Sequence, residues 1–292
     1  MDDFLFMTHH AGGSSDLMLL NPDHPGFLDQ AYRKRRDAIA QLALSYRSGQ
    51  AIPQVDYSSE EHMVWKKITE RLAPLHQEHA CSEILELQEV LSFSFENLPQ
   101  LCDVNKKLER MAGFRMEPVA GLVSARTFLY YLGRRVFLST QYIRHYSRPF
   151  YTPEPDIVHE LIGHAATLTH PGIAEVNRLL GKAVSIASDV ELEKIARVYW
   201  YTLEFGLVEE RGTIKALGAG LLSSIGEIQS CMSMPLRDWD LRAMMEEEFD
   251  PTKPQTCYYV APSFTRLLTD MSCWLRLGEW REQKSIYSIS KS

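Results

Sequence analysis

The sequence predicts a mainly α-helical fold with small β elements, of the α+β class, formed by a single domain. Most of the chain carries apolar residues at helical spacing, whereas strand-like runs are few and short. No internal repeat or low-complexity segment divides the 292 residues, so the length indicates one large domain. We predict a flexible amino-terminal tail at 1–20, a main domain at 21–280 and a carboxy-terminal tail at 281–292.

Helical patterns fill the first half of this domain. The first helix is predicted at 29–47, with Gly49 just beyond its end. Ser58 and Glu61 have the spacing of a capping box, in which each side chain accepts from the backbone N–H of the other residue, so a second helix is predicted to begin there. Three more helices are predicted, at 82–94, 98–112 and 124–133.

The second half of the chain is also predicted to be helical. Pro155 suits the first turn of a helix, where its missing N–H removes no hydrogen bond. The predicted helices are 154–168, 172–186, 189–209, 222–233, 236–248 and 262–276. The predicted strands are 116–119, 136–139, 213–217 and 257–260. Short strands among helices favour a fold in which loops and helix ends frame a cleft.

Composition excludes several classes of function. Hydrophobic residues make up 45% of the chain, enough for a core of normal size, and the net charge is −7. Basic residues are scattered and their densest run is 33–36, so no nucleic-acid-binding surface is predicted. The five cysteines are widely spaced and contain no CxxC pair, which argues against a disulfide framework and a cysteine zinc site.

The amino terminus and the hydropathy pattern predict a cytoplasmic protein without a membrane partner. Asp2 and Asp3 carry negative charge where a signal peptide needs positive charge. No apolar run approaches the roughly 20 residues that a membrane-spanning helix needs.

Two histidines in one predicted helix are candidate metal ligands. His159 and His164 are five residues apart, which in a regular helix directs their side chains about 140° from one another. Both could bind one metal ion if the helix widens locally into a π-bulge, or if it ends near Gly163. The spacing therefore predicts a π-helical distortion if both are ligands. The alternative is an ordinary pair of helical histidines.

Glu204 is the candidate for a third ligand. It lies in the aromatic and apolar stretch 199–207, where a buried carboxylate is costly unless it is paired or coordinates a metal. Two neutral imidazoles and one carboxylate form the facial triad that leaves open positions on iron(II) for O2 chemistry. The alternative is an ion pair between Glu204 and a nearby base such as Arg197.

Beyond these motifs, the sequence resembles the pterin-dependent aromatic amino acid hydroxylases. The resemblance covers roughly residues 23–264 and implies a single catalytic domain of that type, phenylalanine hydroxylase-like and similar to the bacterial form. It runs in the same order through the segments 23–27, 46–53, 113–115, 118–122, 140–145, 151–164, 199–207, 218–224 and 258–261.

The resemblance implies a monooxygenase that uses iron(II), a tetrahydropterin and O2 to hydroxylate the ring of an aromatic amino acid. The implied pterin is tetrahydrobiopterin or another tetrahydropterin. The implied substrate is L-phenylalanine, with tyrosine or meta-tyrosine as the product. A tryptophan hydroxylase of the same family is the alternative.

The resemblance also implies roles for individual residues. His159, His164 and Glu204 would bind iron(II), and Glu160 would lie near the region where O2 is activated, so these four form the implied catalytic set. Phe128 would stack on the pterin ring. The full implied pterin-binding set is Gly121, Val123, Phe128, Glu160, Ala196 and Tyr199.

A further implied set surrounds the amino acid substrate. Arg144 would bind its carboxylate, for which a guanidinium fork is well shaped. Trp200 and Phe205 would face its ring, and Ser223 would hydrogen-bond an iron-bound histidine and fix its orientation. The full implied substrate-binding set is Arg144, Tyr151, Thr152, Pro155, Trp200, Phe205 and Ser223.

Some positions depart from the animal enzymes of this family. Leu138 stands where a pterin-contacting histidine is common, and Ala125 replaces a serine in the pterin segment. The run 165–170 and the loop 249–252 also differ, and both are expected to affect substrate fit or the ring position attacked. Trp200 is more similar to the phenylalanine and tyrosine enzymes than to the tryptophan enzymes, which favours phenylalanine.

The ends of the chain lead to an expectation about assembly. Compared with the animal enzymes, no regulatory domain precedes residue 20, and the tail after Trp274 lacks the hairpin and heptad helix that form tetramers. A monomer or weak dimer is therefore expected.

Two other classes of function compete with this interpretation. A zinc hydrolase could use the same three ligands, although its usual His-Glu-x-x-His pattern spaces the histidines by four residues. A non-catalytic binding protein is expected to have lost a ligand, yet all three are present. His76 and His79 have no third ligand nearby and are predicted to be surface residues.

Overall fold

The structure is a computed structural model that describes residues 20–251 and 253–282. Most of both predicted tails, and Thr252 of the loop 249–252, lie outside the described residues. The described part is mainly helical with short strands, so the predicted fold class is confirmed. No helix within the described ranges is long and apolar enough to cross a bilayer.

The first half of the chain follows its predicted pattern closely. Ser58 Oγ accepts from the Glu61 N–H, and the Glu61 carboxylate accepts from the Ser58 N–H, so the predicted capping box is confirmed. The elements are α1 (Gln30–Ser45), α2 (Ser59–His79), α3 (Ser82–Leu91), α4 (Leu101–Ala112), β1 (Arg115–Pro118), α5 (Ala125–Leu132) and β2 (Val136–Ser139).

The second half contains two π-helical segments, here called π1 and π2. Its elements are π1 (His159–Ala165), α6 (Ala166–Leu168), α7 (Pro171–Val184), α8 (Asp189–Tyr199), π2 (Trp200–Glu204), β3 (Leu207–Glu210), β4 (Thr213–Ala216), α9 (Ala219–Leu222), α10 (Ile225–Ser230), β5 (Leu236–Asp238), α11 (Leu241–Glu246), β6 (Tyr258–Ala261) and α12 (Phe264–Leu277).

The strands form two small sheets. β1 and β2 pair in parallel, and the second sheet has the order β4-β3-β6-β5. β3 pairs antiparallel with β4, while β6 pairs in parallel with both β3 and β5. Helices surround both sheets, and the largest fully buried side chains include Trp65, Trp274 and Tyr258.

Two of the predicted helices are wrong in part, because they include strands. The helix predicted at 189–209 ends before β3, where Gly206 approaches Thr202 so closely that a Cβ would lie 2.2 Å from the Thr202 carbonyl oxygen. Arg211 and Gly212 then take positive φ angles of 53° and 77° and turn the chain into β4. The helix predicted at 236–248 begins instead as β5, which is a strand because it pairs with the distant β6.

A glycine contact fixes how α5 packs on α7. A Cβ added to Gly181 would lie 2.0 Å from the Gly133 backbone nitrogen and 2.6 Å from the Leu129 carbonyl oxygen. The two helices therefore approach closely enough for backbone contact. This contact sets the position of α5, which carries Phe128.

We predict that Gly181→Ala destabilises the fold, because the added methyl group meets backbone that cannot move aside. The free energy of unfolding should fall by about 1–3 kcal/mol in chemical denaturation. Gly226→Ala is the matched control, since no atom lies within 4 Å of its added Cβ. That control should be neutral or stabilise the chain by up to about 1 kcal/mol. Equal effects of the two substitutions would contradict the proposed contact.

Candidate functional site

The three candidate metal ligands converge in the interior of the protein. The ligand atoms of His159, His164 and Glu204 all lie within 4.8 Å of one another. The two histidine Nε2 atoms are 3.0 Å apart. Glu204 places Oε1 2.9 Å from His164 Nε2 and Oε2 3.6 Å from His159 Nε2. His164 and Glu204 are buried, and His159 is half-buried.

Both ligand-bearing segments are π-helical. Residues His159–Ala165 form π1, so the distortion that the five-residue spacing required is present. Glu204 is the last residue of π2, after which Phe205 leaves the helical conformation. The wider turn of π1 brings two side chains to one point that a regular α-helix would direct apart.

Electrostatics at the site favour a neutral His159 and an ionised Glu204, whereas burial is outweighed at His164, where Glu204 raises the pKa of the imidazole. Burial lowers the pKa of His159 to about 4, which keeps its imidazole neutral and able to donate a lone pair. Burial would raise the pKa of Glu204, but His164 and His159 outweigh this effect and lower it to about 2. The described ion-pair partners of Glu204 are His164 and His159, and Arg197 donates instead to the Met245 carbonyl oxygen at 2.9 Å. Within the described residues, the alternative of a pair between Glu204 and an Arg or Lys is therefore not observed.

Ser223 holds the ring of His159 from outside the triad. Its Oγ lies 2.9 Å from His159 Nδ1 and donates to the Ala219 carbonyl oxygen at 2.8 Å. Because its hydroxyl hydrogen is used for Ala219, Ser223 accepts from Nδ1–H. His159 Nε2 is then left unprotonated and faces the other two ligands.

Glu160 lies next to this cluster as a buried carboxyl group. Its Oε1 accepts from the backbone N–H of Thr140 at 3.2 Å and from the Thr140 hydroxyl at 3.1 Å. Burial raises the pKa of Glu160 to about 8, although His164 and Thr140 act in the opposite direction. The site therefore contains two buried carboxyl groups whose pKa values shift in opposite directions, lowered for Glu204 and raised for Glu160.

Arg144 is buried and is held in one orientation by Asp156. Its Nε and Nη2 donate to the two Asp156 carboxylate oxygens at 2.9 and 2.7 Å. Asp156 also caps the helical segment that carries His159, because its Oδ1 accepts from the His159 N–H at 3.3 Å. The sequence analysis missed this role of Asp156. The available signal was the position of Asp156 in the first turn of the helix predicted at 154–168, where an acidic side chain can accept from free backbone N–H groups.

Trp200 and Phe205, which are expected to face the substrate ring, pack against each other and form an aromatic wall. Two residues that the sequence analysis did not assign contact Trp200. Trp200 lies 4.7 Å from Phe205 between ring centroids. On another side, Phe249 stacks on Trp200 at 4.3 Å with an interplanar angle of 17°. Gln255 fixes the plane of the indole by accepting from its Nε1 at 2.8 Å. Neither pattern nor spacing indicated Gln255, since its loop is irregular.

The loop before π1 differs from its prediction. Helical structure begins at Ile157 and not at residue 154, so Pro155 precedes the helix. The Pro155 carbonyl oxygen accepts from the Tyr142 hydroxyl at 2.9 Å, and Thr152 Oγ1 donates to the Glu154 carbonyl oxygen at 2.8 Å. The Tyr151 side chain is exposed.

Comparison with known proteins assigns the family. The family model described as biopterin-dependent aromatic amino acid hydroxylase matches residues 13–279. The chain belongs to this family. Its members depend on biopterin, and the chain carries a site of two histidines and one glutamate that suits iron.

Curated hydroxylases of two types are similar to this chain. It is 46% identical over 255 residues to phenylalanine-4-hydroxylase of Rattus norvegicus, covering 84% of this chain and 56% of that protein. It is 45% identical over 252 residues to tyrosine 3-monooxygenase of Homo sapiens, covering 84% of this chain and 48% of that protein. The chain thus spans about half the length of these curated relatives.

Solved structures of bacterial hydroxylases share the fold. Phenylalanine hydroxylase of Chromobacterium violaceum with bound iron(III) and 7,8-dihydrobiopterin has a TM-score of 0.72 and 29% identity, covering 83% of this chain and 93% of that one. Phenylalanine hydroxylase of Legionella pneumophila has a TM-score of 0.71 and 30% identity, covering 83% of this chain and 99% of that one.

Of the positions expected to bind the pterin, Phe128 and Tyr199 lie near the triad. Phe128 makes edge contacts with Phe137 at 5.2 Å and Tyr199 at 5.8 Å, and Phe137 lies 4.7 Å from the His164 ring. Ala196 is half-buried near the end of α8, before Tyr199. Gly121 and Val123 lie in the loop before α5. No hydrogen bond or ring contact between them and the triad is described.

The candidate donor set fits a divalent iron ion. Two imidazole nitrogens and one ionised carboxylate face a common point in the interior, as iron(II) of the facial-triad type requires. Beside them, the Tyr199 hydroxyl is buried and interacts with Glu204, one of the three candidate donors.

We predict that His159→Ala abolishes tight iron(II) binding, because one of three ligands is lost while the fold remains. Ser223→Ala should keep all three ligands and weaken binding by about 10–100-fold, as expected for loss of an orienting hydrogen bond. Anaerobic competition with a chromogenic chelator measures both affinities, and circular dichroism checks the fold. An iron-replete and active His159→Ala variant would refute the triad.

Proposed function

We propose that this chain is an iron(II)- and tetrahydropterin-dependent monooxygenase that hydroxylates the ring of L-phenylalanine. The observation that carries the proposal is the convergence of His159, His164 and Glu204 beside the aromatic wall formed by Trp200 and Phe205. An iron site next to an aromatic pocket suits oxidation of an aromatic ring. The family membership of the chain supports the same class of reaction.

In the proposed reaction, the bound groups supply the chemistry and the residues of the chain hold the iron and the substrate. Iron and the reduced pterin, when bound, supply the activation of O2 and the two electrons that it requires. His159, His164 and Glu204 would hold the iron, and the buried surroundings keep water away from the reacting ring. Trp200, fixed by Gln255, would hold the substrate ring in place.

The polar ends of the proposed substrate also have matching residues. Asp156 leaves Nη1 of Arg144 outside the buried pair, and this nitrogen is well suited to the substrate carboxylate. Glu160 is a buried carboxyl group next to His159 in the chain, and it can hydrogen-bond a group bound beside the iron ligands. On the pterin side, Phe128 offers an aromatic face at the position predicted to stack on the cofactor.

Tyrosine is the second candidate substrate, because the relatives include a tyrosine 3-monooxygenase at 45% identity. Tryptophan is the third, as the sequence analysis kept it open. Phenylalanine is preferred because solved structures of similar fold include phenylalanine hydroxylases of Chromobacterium violaceum and Legionella pneumophila, of which 93% and 99% of the chain is covered.

The decisive experiment is an assay of the anaerobically iron-loaded protein with tetrahydrobiopterin and O2. Phenylalanine, tyrosine and tryptophan are offered separately, and products are identified by mass spectrometry and NMR. We expect tyrosine from phenylalanine, with dependence on both iron and pterin. Meta-tyrosine would change the assigned ring position, and exclusive turnover of tyrosine or tryptophan would overturn the substrate. No product from iron-loaded protein would refute the proposed activity.

We predict that Arg144→Lys weakens binding of the amino acid substrate, because a point charge cannot satisfy Asp156 and a carboxylate in the way that a planar fork does. Loss of one charge-assisted contact is worth about 1.5–3 kcal/mol, or roughly 10–100-fold in KM. Steady-state kinetics measure KM for phenylalanine and for the pterin separately. An unchanged KM for phenylalanine would place the carboxylate site elsewhere.

A further inference from the structure

One short segment contacts both of the π-helical segments that carry the candidate metal ligands. We call residues 216–223 the frame segment. A Cβ on Gly163, between the two histidine ligands, would lie 2.7 Å from the Ala219 carbonyl oxygen. A Cβ on Gly218 would lie 2.3 Å from the Glu204 carbonyl oxygen, and Ser223 hydrogen-bonds His159. A displacement of the frame segment would therefore move ligands on both π-helical segments.

The carboxy-terminal end of α2 and the residues just after it contact both ends of this frame segment. Cys81, two residues after α2, donates its N–H to the Ala216 carbonyl oxygen at 3.1 Å, which anchors the beginning of the segment. His76, within α2, places Nε2 2.7 Å from the Leu222 carbonyl oxygen, which anchors the end of the segment.

The His76 anchor is a buried contact, not a surface one. Only 5% of the His76 side chain is exposed, so the prediction that His76 is a surface residue is wrong. A carbonyl oxygen can only accept, so His76 Nε2 must carry the hydrogen of this bond. Leu222 is the last residue of α9, and the final carbonyl groups of a helix lack partners within the helix. His76 supplies the missing donor.

The next residue after Leu222 is Ser223, which makes this bond relevant to the metal. The His76 bond fixes the Leu222 carbonyl group, and the peptide unit of that carbonyl leads directly into Ser223. The Ser223 hydroxyl in turn sets the orientation of the His159 ring. Four residues thus form a continuous chain of contacts from α2 to a candidate iron ligand: His76, Leu222, Ser223 and His159.

We propose that His76 is a positioning residue for the metal site, acting through the Leu222 carbonyl group and the Ser223 hydroxyl on His159. It contacts neither the ligand atoms nor the substrate pocket. The inference rests on the metal site of the proposed function and adds a residue to it from α2. A purely structural role would instead make His76 important for stability without any effect on the metal.

The test compares three variants of the full chain by iron(II) affinity, by the visible spectrum of the cobalt(II)-loaded protein and by Tm. His76→Leu removes the donor. His76→Gln keeps an N–H that can reach the carbonyl group. Ile68→Val is the matched control, since Ile68 is fully buried in α2 and its apolar side chain makes no hydrogen bond to the frame segment.

We expect His76→Leu to lower iron(II) affinity by about 10-fold, the lower end of the range for lost orienting bonds, and to shift the cobalt(II) spectrum. His76→Gln should restore both, and Ile68→Val should lower Tm while leaving both unchanged. In a Ser223→Ala background, His76→Leu should cause no further loss of iron(II) affinity, because His76 acts on His159 only through the Ser223 hydroxyl.

Native affinity and a native cobalt(II) spectrum in His76→Leu would overturn the inference, whatever its Tm. An equal loss of affinity in Ile68→Val, or full additivity with Ser223→Ala, would overturn it too. If His76→Leu does not fold, His76→Asn carries the same comparison, because its amide is polar but too short to reach Leu222. Failure of the unsubstituted chain to bind iron(II) or cobalt(II) would refute the proposed function instead.

Discussion

A regular α-helix cannot direct residues 159 and 164 to one point, and the rest of the site depends on how the protein meets this constraint. π1 widens the turn, and π2 places Glu204 at its last residue, so three donors face each other in the interior. Wide helical turns are uncommon and need support from their surroundings. The frame segment provides that support by packing backbone to backbone against Gly163 and against the Glu204 carbonyl group.

The same region solves a second problem, which is the burial of charge. Arg144 and Asp156 are both buried and satisfy each other with two parallel hydrogen bonds, and Asp156 also caps the segment that leads into π1. Arg36 is almost fully buried as well, paired with Glu154 and lying 3.5 Å above the Tyr142 ring. These pairs fix the loop between β2 and π1, which places a guanidinium group beside the metal ligands.

Much of the fold follows from local sequence signals. The capping box at Ser58 and the apolar periodicity of the first half predicted helices whose bounds differ only slightly from those observed. The errors occur where pairing is non-local. β5 is a strand because it pairs with β6, and β3 follows π2 because Gly206 and the turn at Arg211 end the helix. Periodicity within one segment carries no information about a distant partner.

For the site, the sequence by itself determined the donor set. The five-residue spacing of His159 and His164 and the carboxylate isolated among aromatic residues indicated three candidate donors and the helical distortion that a shared metal needs, and the resemblance to the pterin-dependent hydroxylases selected iron over the alternatives. Only the tertiary structure decided which neighbours hold those donors: Asp156 on Arg144, Gln255 on Trp200, and His76 on the frame segment. The physical reason is that the type and spacing of residues encode local geometry, whereas a hydrogen bond between residues far apart in the chain exists only once packing has brought donor and acceptor together.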